Sequence, residues 1–333
     1  MTAYKTILVI VSPERRLTPA FYRGVELARR CGAGLHLCLF AYHELIDAAR
    51  TMVGTEVAQL AESEYIKQRM TWLAEQAAAI AGPELRVECD VVWAPVAYEA
   101  ILGKMLEIGA DLVVKDVPYD KHTPPRLHLS PLDWRLSRLA PATLMFVRPD
   151  AAPVPRNMVA AVQVATASQR GPQLNDRILS AAFELSRIAE TALDVVSVFS
   201  YMPIESDAVA YTPAIYDLVN HAHREAFEKL MSSYPFPPEK QHRYFGEPAE
   251  AIRQATKELA ADLVVIGSSY HSGWNRLLFG STADSLLRDV STDVLIVKPD
   301  GFLDELARHM DLVELRKRYA RVQAETPSVE RGA

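Results

Sequence analysis

The sequence is short of cysteine and has no excess of positive charge, and each shortage excludes a class of protein. Its 333 residues include three cysteines, Cys31, Cys38 and Cys89, with no CxxC spacing. This set excludes a disulfide framework and a cysteine-rich zinc site, and it fits a reducing compartment. The 36 basic and 42 acidic residues give a formal net charge of −6. Proteins that coat nucleic acid carry a strong basic surplus, so we expect no nucleic acid among the partners.

Long apolar runs and common catalytic signatures are also absent. No stretch approaches the ~18–20 apolar residues that a membrane-spanning helix needs. The chain begins with a short strand-like run and not with the pattern of a signal peptide, so we expect a cytoplasmic protein. The sequence has no Gly-x-Ser-x-Gly elbow, no Walker A lysine motif and no HExxH zinc motif.

The sequence does contain an internal repeat. Residues 98–114 and 249–265 both carry Glu-Ala-Ile, followed at the same distance by Ala-Asp-Leu-Val-Val, with an offset of 151. Residues 146–150 and 296–300 match at an offset of 150. Matches in nearly constant register predict a tandem duplication. The predicted segments are a first unit, 1–149, a second unit, 156–300, and a helical tail, 301–333.

Each unit alternates apolar, β-branched runs with stretches of helical periodicity. Five strands separated by helices can be read in both units. This alternation favours an α/β fold in which a parallel sheet is covered by helices on both faces. Ligands of such open sheets lie beyond the carboxyl ends of the strands.

A glycine-containing stretch of the second unit follows one of these strands. Gly267 ends the strand, and Gly280, Ser281 and Thr282 open the next helix. Glycine lets the backbone approach a phosphate closely, and the free N–H groups of a helix start attract anions. Taken alone, the spacing is equally typical of a strand–loop–helix turn with a capped helix.

Together with the strand at 294–297, this loop resembles the C-terminal part of a universal stress protein domain. That family has a nucleotide loop of the form G-x2-G-x9-G-[ST], and Gly267 and Gly280-Ser281 fall on its first and last positions. Gly273 matches a glycine frequent within the loop, whereas Tyr270 occupies the middle glycine position. The chain resembles the tandem branch of the family, the E type, over roughly residues 4–300.

The resemblance implies both the fold and the ligand. It implies two tandem five-stranded parallel-sheet domains, Rossmann-like and of the adenine nucleotide alpha hydrolase-like type. Family members pair through their last strands, so 142–147 and 293–297 are expected to pair as a pseudo-dimer within the chain, which hides two sheet edges. The implied cofactor is ATP or another adenine nucleotide, in the second unit. The candidate binding residues are Gln163, Ile266, Gly267, Ser269, Tyr270, Gly273, Gly280, Ser281 and Thr282.

The candidate nucleotide site departs from the family pattern at two positions. ATP-binding members place an Asp just after the first strand, whereas this position holds Gln163 in the second unit and Val11 or Ser12 in the first. Gln163 can form a hydrogen bond with a ribose or a base, but it brings no charge. Tyr270 introduces a bulky ring at a glycine position, where it either stacks on a base or fills the pocket.

The first unit lacks the glycine loop altogether. No glycine occurs between Gly109 and Gly171, and the loop at 115–131 contains several prolines. Because proline has no N–H donor, this loop cannot form a glycine-type phosphate nest. We therefore expect a nucleotide in the second unit only, or in neither.

Two other groups of residues have ordinary explanations. His221 and His223 lie two residues apart in a predicted helix, and side chains at that spacing do not face each other. We interpret both as surface histidines and predict no metal site. Cys31 and Cys38 are interpreted as buried packing residues.

Three functions are consistent with these patterns. The first is a cytoplasmic stress-response protein that senses a ligand and acts through protein partners without catalytic turnover. The second is a switch that binds ATP and hydrolyses it weakly, using the glycine loop of the second unit. The third is a binder of an apolar or mixed small ligand, walled by the aromatic and proline-rich stretches 93–98 and 201–216. A homodimer is also compatible with these patterns.

Overall fold

The computed structural model describes residues 4–118, 129–164, 170–199, 213–268, 281–289 and 291–325. They form two units. The first unit contains the described residues up to 118, those of 129–154 and those from Phe302 onward, and the second contains the described residues of 155–301. Each unit is an α/β fold, as the sequence predicts.

The first unit is built on five parallel strands in the order β3–β2–β1–β4–β5. Its strands are β1 (Thr6–Val11), β2 (Gly34–Ala41), β3 (Val87–Trp93), β4 (Leu112–Asp116) and β5 (Thr143–Val147). The helices between them are α1 (Pro19–Cys31), α2 (Glu44–Met52), α3 (Thr55–Ile80), α4 (Ala97–Ile108) and α5 (Pro131–Leu139).

The second unit repeats this arrangement, with its five parallel strands in the order β8–β7–β6–β9–β10. Its strands are β6 (Asn157–Val162), β7 (Ala192–Phe199), β8 (Gln241–Phe245), β9 (Leu263–Gly267) and β10 (Asp293–Val297). The helices are α6 (Arg170–Ala189), α7 (Pro213–Met231), α8 (Pro248–Glu258) and α9 (Ser281–Asp289).

The strands are apolar on both faces because helices cover both sides of each sheet. In β1, for example, Ile7, Leu8 and Val9 are fully buried. Gly24 of α1 lies directly on this strand, where a Cβ would come within 2.1 Å of Val9 Cγ2. Cys31 and Cys38 are buried in this unit, in agreement with their interpretation as packing residues.

The residues after position 301 pack on the first unit, although they follow the second unit in the sequence. They form two helices, α10 (Phe302–His309) and α11 (Leu312–Glu325), and α11 lies against α4 and β3. The helices are separate because Asp311 begins a new one, its Oδ1 accepting a hydrogen bond of 2.8 Å from Glu314 N. Four apolar tail side chains are buried: Phe302, Leu306, Leu315 and Tyr319.

Within the described residues, no helix is long and apolar enough to cross a membrane. In the same part of the chain, no group of three or more His, Cys, Asp or Glu side chains is arranged to hold a metal ion.

Candidate functional site

The candidate site lies at the carboxyl edge of the second sheet, where the strand order reverses. β6 and β9 are parallel neighbours there, and their chains continue to β7 on one side and β10 on the other. This topology opens a crevice beyond the strand ends. Gln163 follows β6, and Ile266 and Gly267 end β9, so the fold brings these three predicted residues to one edge.

Gln163 is held through its backbone while its side chain remains exposed. Asn175 of α6 accepts a hydrogen bond of 3.1 Å from Gln163 N and donates one of 2.7 Å to Gln163 O. Asn175 is itself buried, so its side-chain amide is held in place for both hydrogen bonds. Sequence reasoning missed Asn175, because the helical pattern alone does not show which polar residue faces a strand end.

Gly267 has a packing role at this edge. A Cβ on Gly267 would lie 2.7 Å from Leu174 Cδ2 and 2.8 Å from Ile178 Cδ1, both on α6. Glycine therefore lets α6 approach the end of β9. Ile266 is buried within the strand, so its side chain belongs to the core and only its backbone reaches the edge.

The remaining predicted residues are described only in part. Ser281 and Thr282 are the first two residues of α9, as expected for the helix after the glycine loop, and Thr282 is partly exposed. The other four lie outside the described residues: Ser269, Tyr270, Gly273 and Gly280.

A buried lysine stands beside the end of β9. Ser268 donates a backbone hydrogen bond of 2.9 Å to Val297 O, and its Oγ lies 3.3 Å from Lys298 Nζ. Lys298 is buried, and this burial lowers its pKa to about 7. The sequence places Lys298 only within the repeated stretch 296–300, so its position at the site was missed.

In the first unit, the start of α5 is occupied by a carboxylate of its own. Asp133 Oδ2 accepts hydrogen bonds from Ser130 N (2.8 Å) and Ser130 Oγ (2.7 Å), and Asp133 N donates to Ser130 Oγ (3.2 Å). Lys115, at the end of β4, forms an ion pair of 2.9 Å with Asp133 Oδ1. Asp133 is fully buried. Two donors of Ser130 and the positive charge of Lys115 are thus directed to the Asp133 carboxylate at the helix start.

A second carboxylate stands where the second unit has Gly267. The offset of 151 relates Gly267 to Asp116, the last residue of β4. Burial raises the pKa of the Asp116 carboxyl, although nearby Lys115 opposes the shift. Asp116 thus puts a side chain where the second unit has the bare backbone of a glycine, which agrees with the absence of the glycine loop from the first unit.

The structure corrects the interpretation of His223 as a surface residue. His223 is buried, with its Nε2 3.0 Å from Ser197 Oγ, and Arg243 Nε donates a 3.3 Å hydrogen bond to His223 Nδ1. Burial, reinforced by Arg243, lowers the pKa of His223 to about 4. His221 is exposed as predicted. Residues two apart lie on different faces of a helix, so one faces β7 and the other faces solvent.

The aromatic residues near the strand ends pack on one another. In the first unit, the ring of Trp93 lies 5.6 Å from that of Tyr42 and 6.0 Å from that of Tyr65. In the second unit, the rings of Phe199 and Phe245 lie 5.1 Å apart. Most of the stretch 201–216 lies outside the described residues.

Comparison with known proteins gives a consistent result over most of the chain. The sequence model of the universal stress protein family matches residues 3–148 and 162–298. Universal stress protein E of Escherichia coli strain K12 is 26% identical over 309 residues, which cover 91% of this chain and 96% of that protein. Its counterpart from Photorhabdus laumondii is 27% identical over 311 residues, with 91% and 97% covered.

Solved structures show the same fold. A protein of unknown function from Pseudomonas aeruginosa PAO1 matches with a TM-score of 0.70 and 22% identity, over 96% of this chain and 98% of that one. A universal stress protein from Archaeoglobus fulgidus matches with a TM-score of 0.56 and 14% identity, over 90% and 99%. At these identities the likeness concerns the fold alone.

Proposed function

Because the chain belongs to the universal stress protein family, we propose that it is a cytoplasmic stress-response protein that senses a small ligand and acts through protein partners. In this proposal the chain performs no catalytic turnover. Gln163 supports it, because an amide at the candidate site accepts no proton near neutral pH and therefore cannot serve as a general base.

The proposed ligand is ATP or another adenine nucleotide, held by the second unit alone. The observation that carries this assignment is the capping of α5 by Asp133. In the first unit the helix start already has a buried carboxylate and a lysine partner, so an external phosphate would have to displace both. In the second unit the equivalent helix, α9, follows the glycine loop that resembles the family's nucleotide loop.

Calorimetric titration of the full chain with ATP and with ADP tests this assignment. We expect no more than one nucleotide per chain. A Gly280→Val variant should lose binding, because a side chain there blocks close approach of the backbone to a phosphate. A matched control is Gly82→Val, since a Cβ at Gly82 meets no atom within 4 Å. Two nucleotides bound per chain would contradict the proposal.

The second candidate function is a weakly hydrolysing ATP switch, and Lys298 favours it. Its amine stands beside Ser268 at the candidate edge, with a pKa of about 7. A bound phosphate would stabilise the ammonium form of such a lysine. Phosphate release from ATP, compared between the parent and a Lys298→Met variant, separates the two functions. Slow release that depends on Lys298 supports the switch, and no release above background supports binding without turnover.

A further inference from the structure

A hairpin of the first unit exposes an unusual group of apolar side chains. None of the residues of α2 is buried. Single exposed apolar residues are normal on a protein surface, whereas a group of them marks an interaction site. We call the group the hairpin surface. It consists of five side chains, with their exposed fractions: Leu45 (75%), Met52 (81%), Val53 (60%), Val57 (54%) and Leu60 (74%).

Helical spacing groups these side chains on one face of each helix. Leu45 and Met52 are seven residues apart in α2, and Val57 and Leu60 are three apart in α3, so each pair shares one helix face. The two helices pack against each other. Gly54 joins them with a positive φ of 104°, a backbone conformation that glycine adopts readily.

The opposite face of α3 makes the contact with the protein interior. Ala58 and Glu62 are four residues apart on that face, and both are buried. Arg50 of α2 forms an ion pair with Glu62 and a second one of 3.4 Å with Asp47. The usual arrangement is therefore inverted: an ion pair lies between the helices, and large apolar side chains face solvent.

The charges around the hairpin surface are predominantly acidic. Between positions 44 and 64 the single basic residue is Arg50, which is already engaged by two carboxylates. An apolar centre with an acidic rim is complementary to an apolar face bordered by lysine or arginine. The acidic residues of this stretch are Glu44, Asp47, Glu56, Glu62 and Glu64.

We propose that the hairpin surface docks a protein partner that presents a basic amphipathic helix. Two-fold pairing with a second copy would bring the same acidic side chains together, which the charge pattern disfavours. An anionic membrane surface is disfavoured for the same reason. The inference rests on the partner-binding role proposed above, and it adds the chemical character of the partner. It makes no use of the nucleotide site, so the two proposals fail separately.

The test uses the full chain and two synthetic amphipathic peptides of about 14 residues, a length at which an isolated helix is marginal and folds on binding. One peptide combines leucine with lysine, and the other combines leucine with glutamate in the same pattern. Binding is measured by fluorescence anisotropy without nucleotide. We expect the lysine peptide to bind and the glutamate peptide not to bind. Hydrogen exchange should show protection of residues 44–64 by the lysine peptide.

Two variants and a control locate the contact. M52S/L60S should weaken binding of the lysine peptide at least about tenfold, because central apolar anchors dominate interface affinity. Glu44→Lys/Glu56→Lys should lose the lysine peptide and gain the glutamate peptide. Leu218→Ser, at a residue 70% exposed on the second unit, should leave the affinity unchanged. These substitutions affect exposed side chains, so folding is expected to be retained.

Several outcomes would overturn the proposal. Unchanged binding of the lysine peptide by M52S/L60S would show that it attaches elsewhere. Equal binding of both peptides would remove the role of charge. Sedimentation that shows a dimer of the parent chain, lost in M52S/L60S, would assign the surface to a second copy. Flotation with vesicles containing phosphatidylserine, abolished by the same variant, would assign it to a membrane.

Discussion

The two units end their sheets differently at the edge where ligands of this fold bind. In the first unit, Asp133 caps α5 and pairs with Lys115. In the second unit, α9 is related to α5 by an offset of 150, which puts Ala283 at the equivalent position, and the next residue, Asp284, pairs with Arg288 at 2.8 Å. A buried aspartate thus caps the helix start in the first unit, whereas Asp284 of the second unit forms a partly exposed ion pair within α9. The fold supplies the helix start in both units, and in the first unit a side chain of the chain itself caps it.

The packing of the second strand also differs. Leu39 of β2 is the register partner of Val11, and Ser197 of β7 is the register partner of the equivalent Val162. The first unit therefore buries an apolar side chain where the second buries a serine beside His223. Because the imidazole of His223 is ionisable, its burial beside Ser197 makes the stability of the second unit depend on pH.

The tail gives a third contrast. In the first unit, Tyr319 OH and Gln323 Nε2 of α11 both lie 3.3 Å from Glu107 Oε2. In the second unit, Tyr244 OH and Gln254 Nε2 each donate a 2.7 Å hydrogen bond to Glu258, which the offset of 151 relates to Glu107. The same three side-chain types meet in both units, but only the first unit obtains two of them from the tail.

The largest expected effect on stability comes from removing Lys115, the cation that pairs with the buried Asp133 carboxylate. Lys115→Met leaves the Asp133 carboxylate without its cation in a buried position, which typically costs about 3–5 kcal/mol. Urea denaturation measures the loss. The double variant K115M/D133N should recover part of it, because it removes the stranded charge. A Lys115→Met protein as stable as the parent would show that the ion pair does not distinguish the two units.

The second prediction concerns pH. The pKa of His223 is about 4 in the folded state, below the ordinary value of 6.5, so the unfolded chain takes up a proton first as the pH falls. Stability should decline between pH 6.5 and 4, by at most about 1.4 kcal/mol per pH unit for one proton. A variant without the buried imidazole, S197A/H223L, should lose this contribution to the slope, whereas His221→Leu, on the same helix, should keep it.

The third prediction tests the docking of the tail. A Cβ at Gly103 would lie 2.4 Å from Tyr319 Cγ. Gly103→Val should therefore push α11 away and cost about 1–3 kcal/mol by overpacking. Faster proteolysis and hydrogen exchange of residues 302–325 would report the displacement. Gln254→Val is the matched control, because Gln254 occupies the equivalent position in α8. Unchanged exchange in Gly103→Val would mean that the tail contact is not tight.

The smallest effect is expected from the cap itself. Ser130→Ala removes both hydrogen bonds of the Ser130 hydroxyl at the start of α5 but keeps the pair of Lys115 with Asp133, so the loss should be about 0.5–2 kcal/mol. Thermal unfolding measures it against Lys115→Met. If Ser130→Ala lowers the free energy of unfolding more than Lys115→Met does, the serine and not the ion pair is the main stabiliser of the start of α5.

Much of the fold was predictable, but the site only in part. The repeat and the apolar runs predicted two five-stranded units, and the strand ends placed Gln163, Ile266 and Gly267 at one edge. The assignment of His223 to the surface was wrong. Helical spacing shows that His221 and His223 point to different sides of the helix, but it does not show which of the two faces the core. The pairing of 142–147 with 293–297 stays a prediction, as does nucleotide binding.

The sequence by itself determined the repeated α/β architecture and the loss of the glycine loop from the first unit, because periodicity, glycine and proline act on their near neighbours in the chain. Only the tertiary structure decided which distant groups meet. It placed Lys115 on Asp133, His223 on Ser197, and the tail's Tyr319 over Gly103. Such contacts depend on how helices pack across strands, which local spacing does not encode.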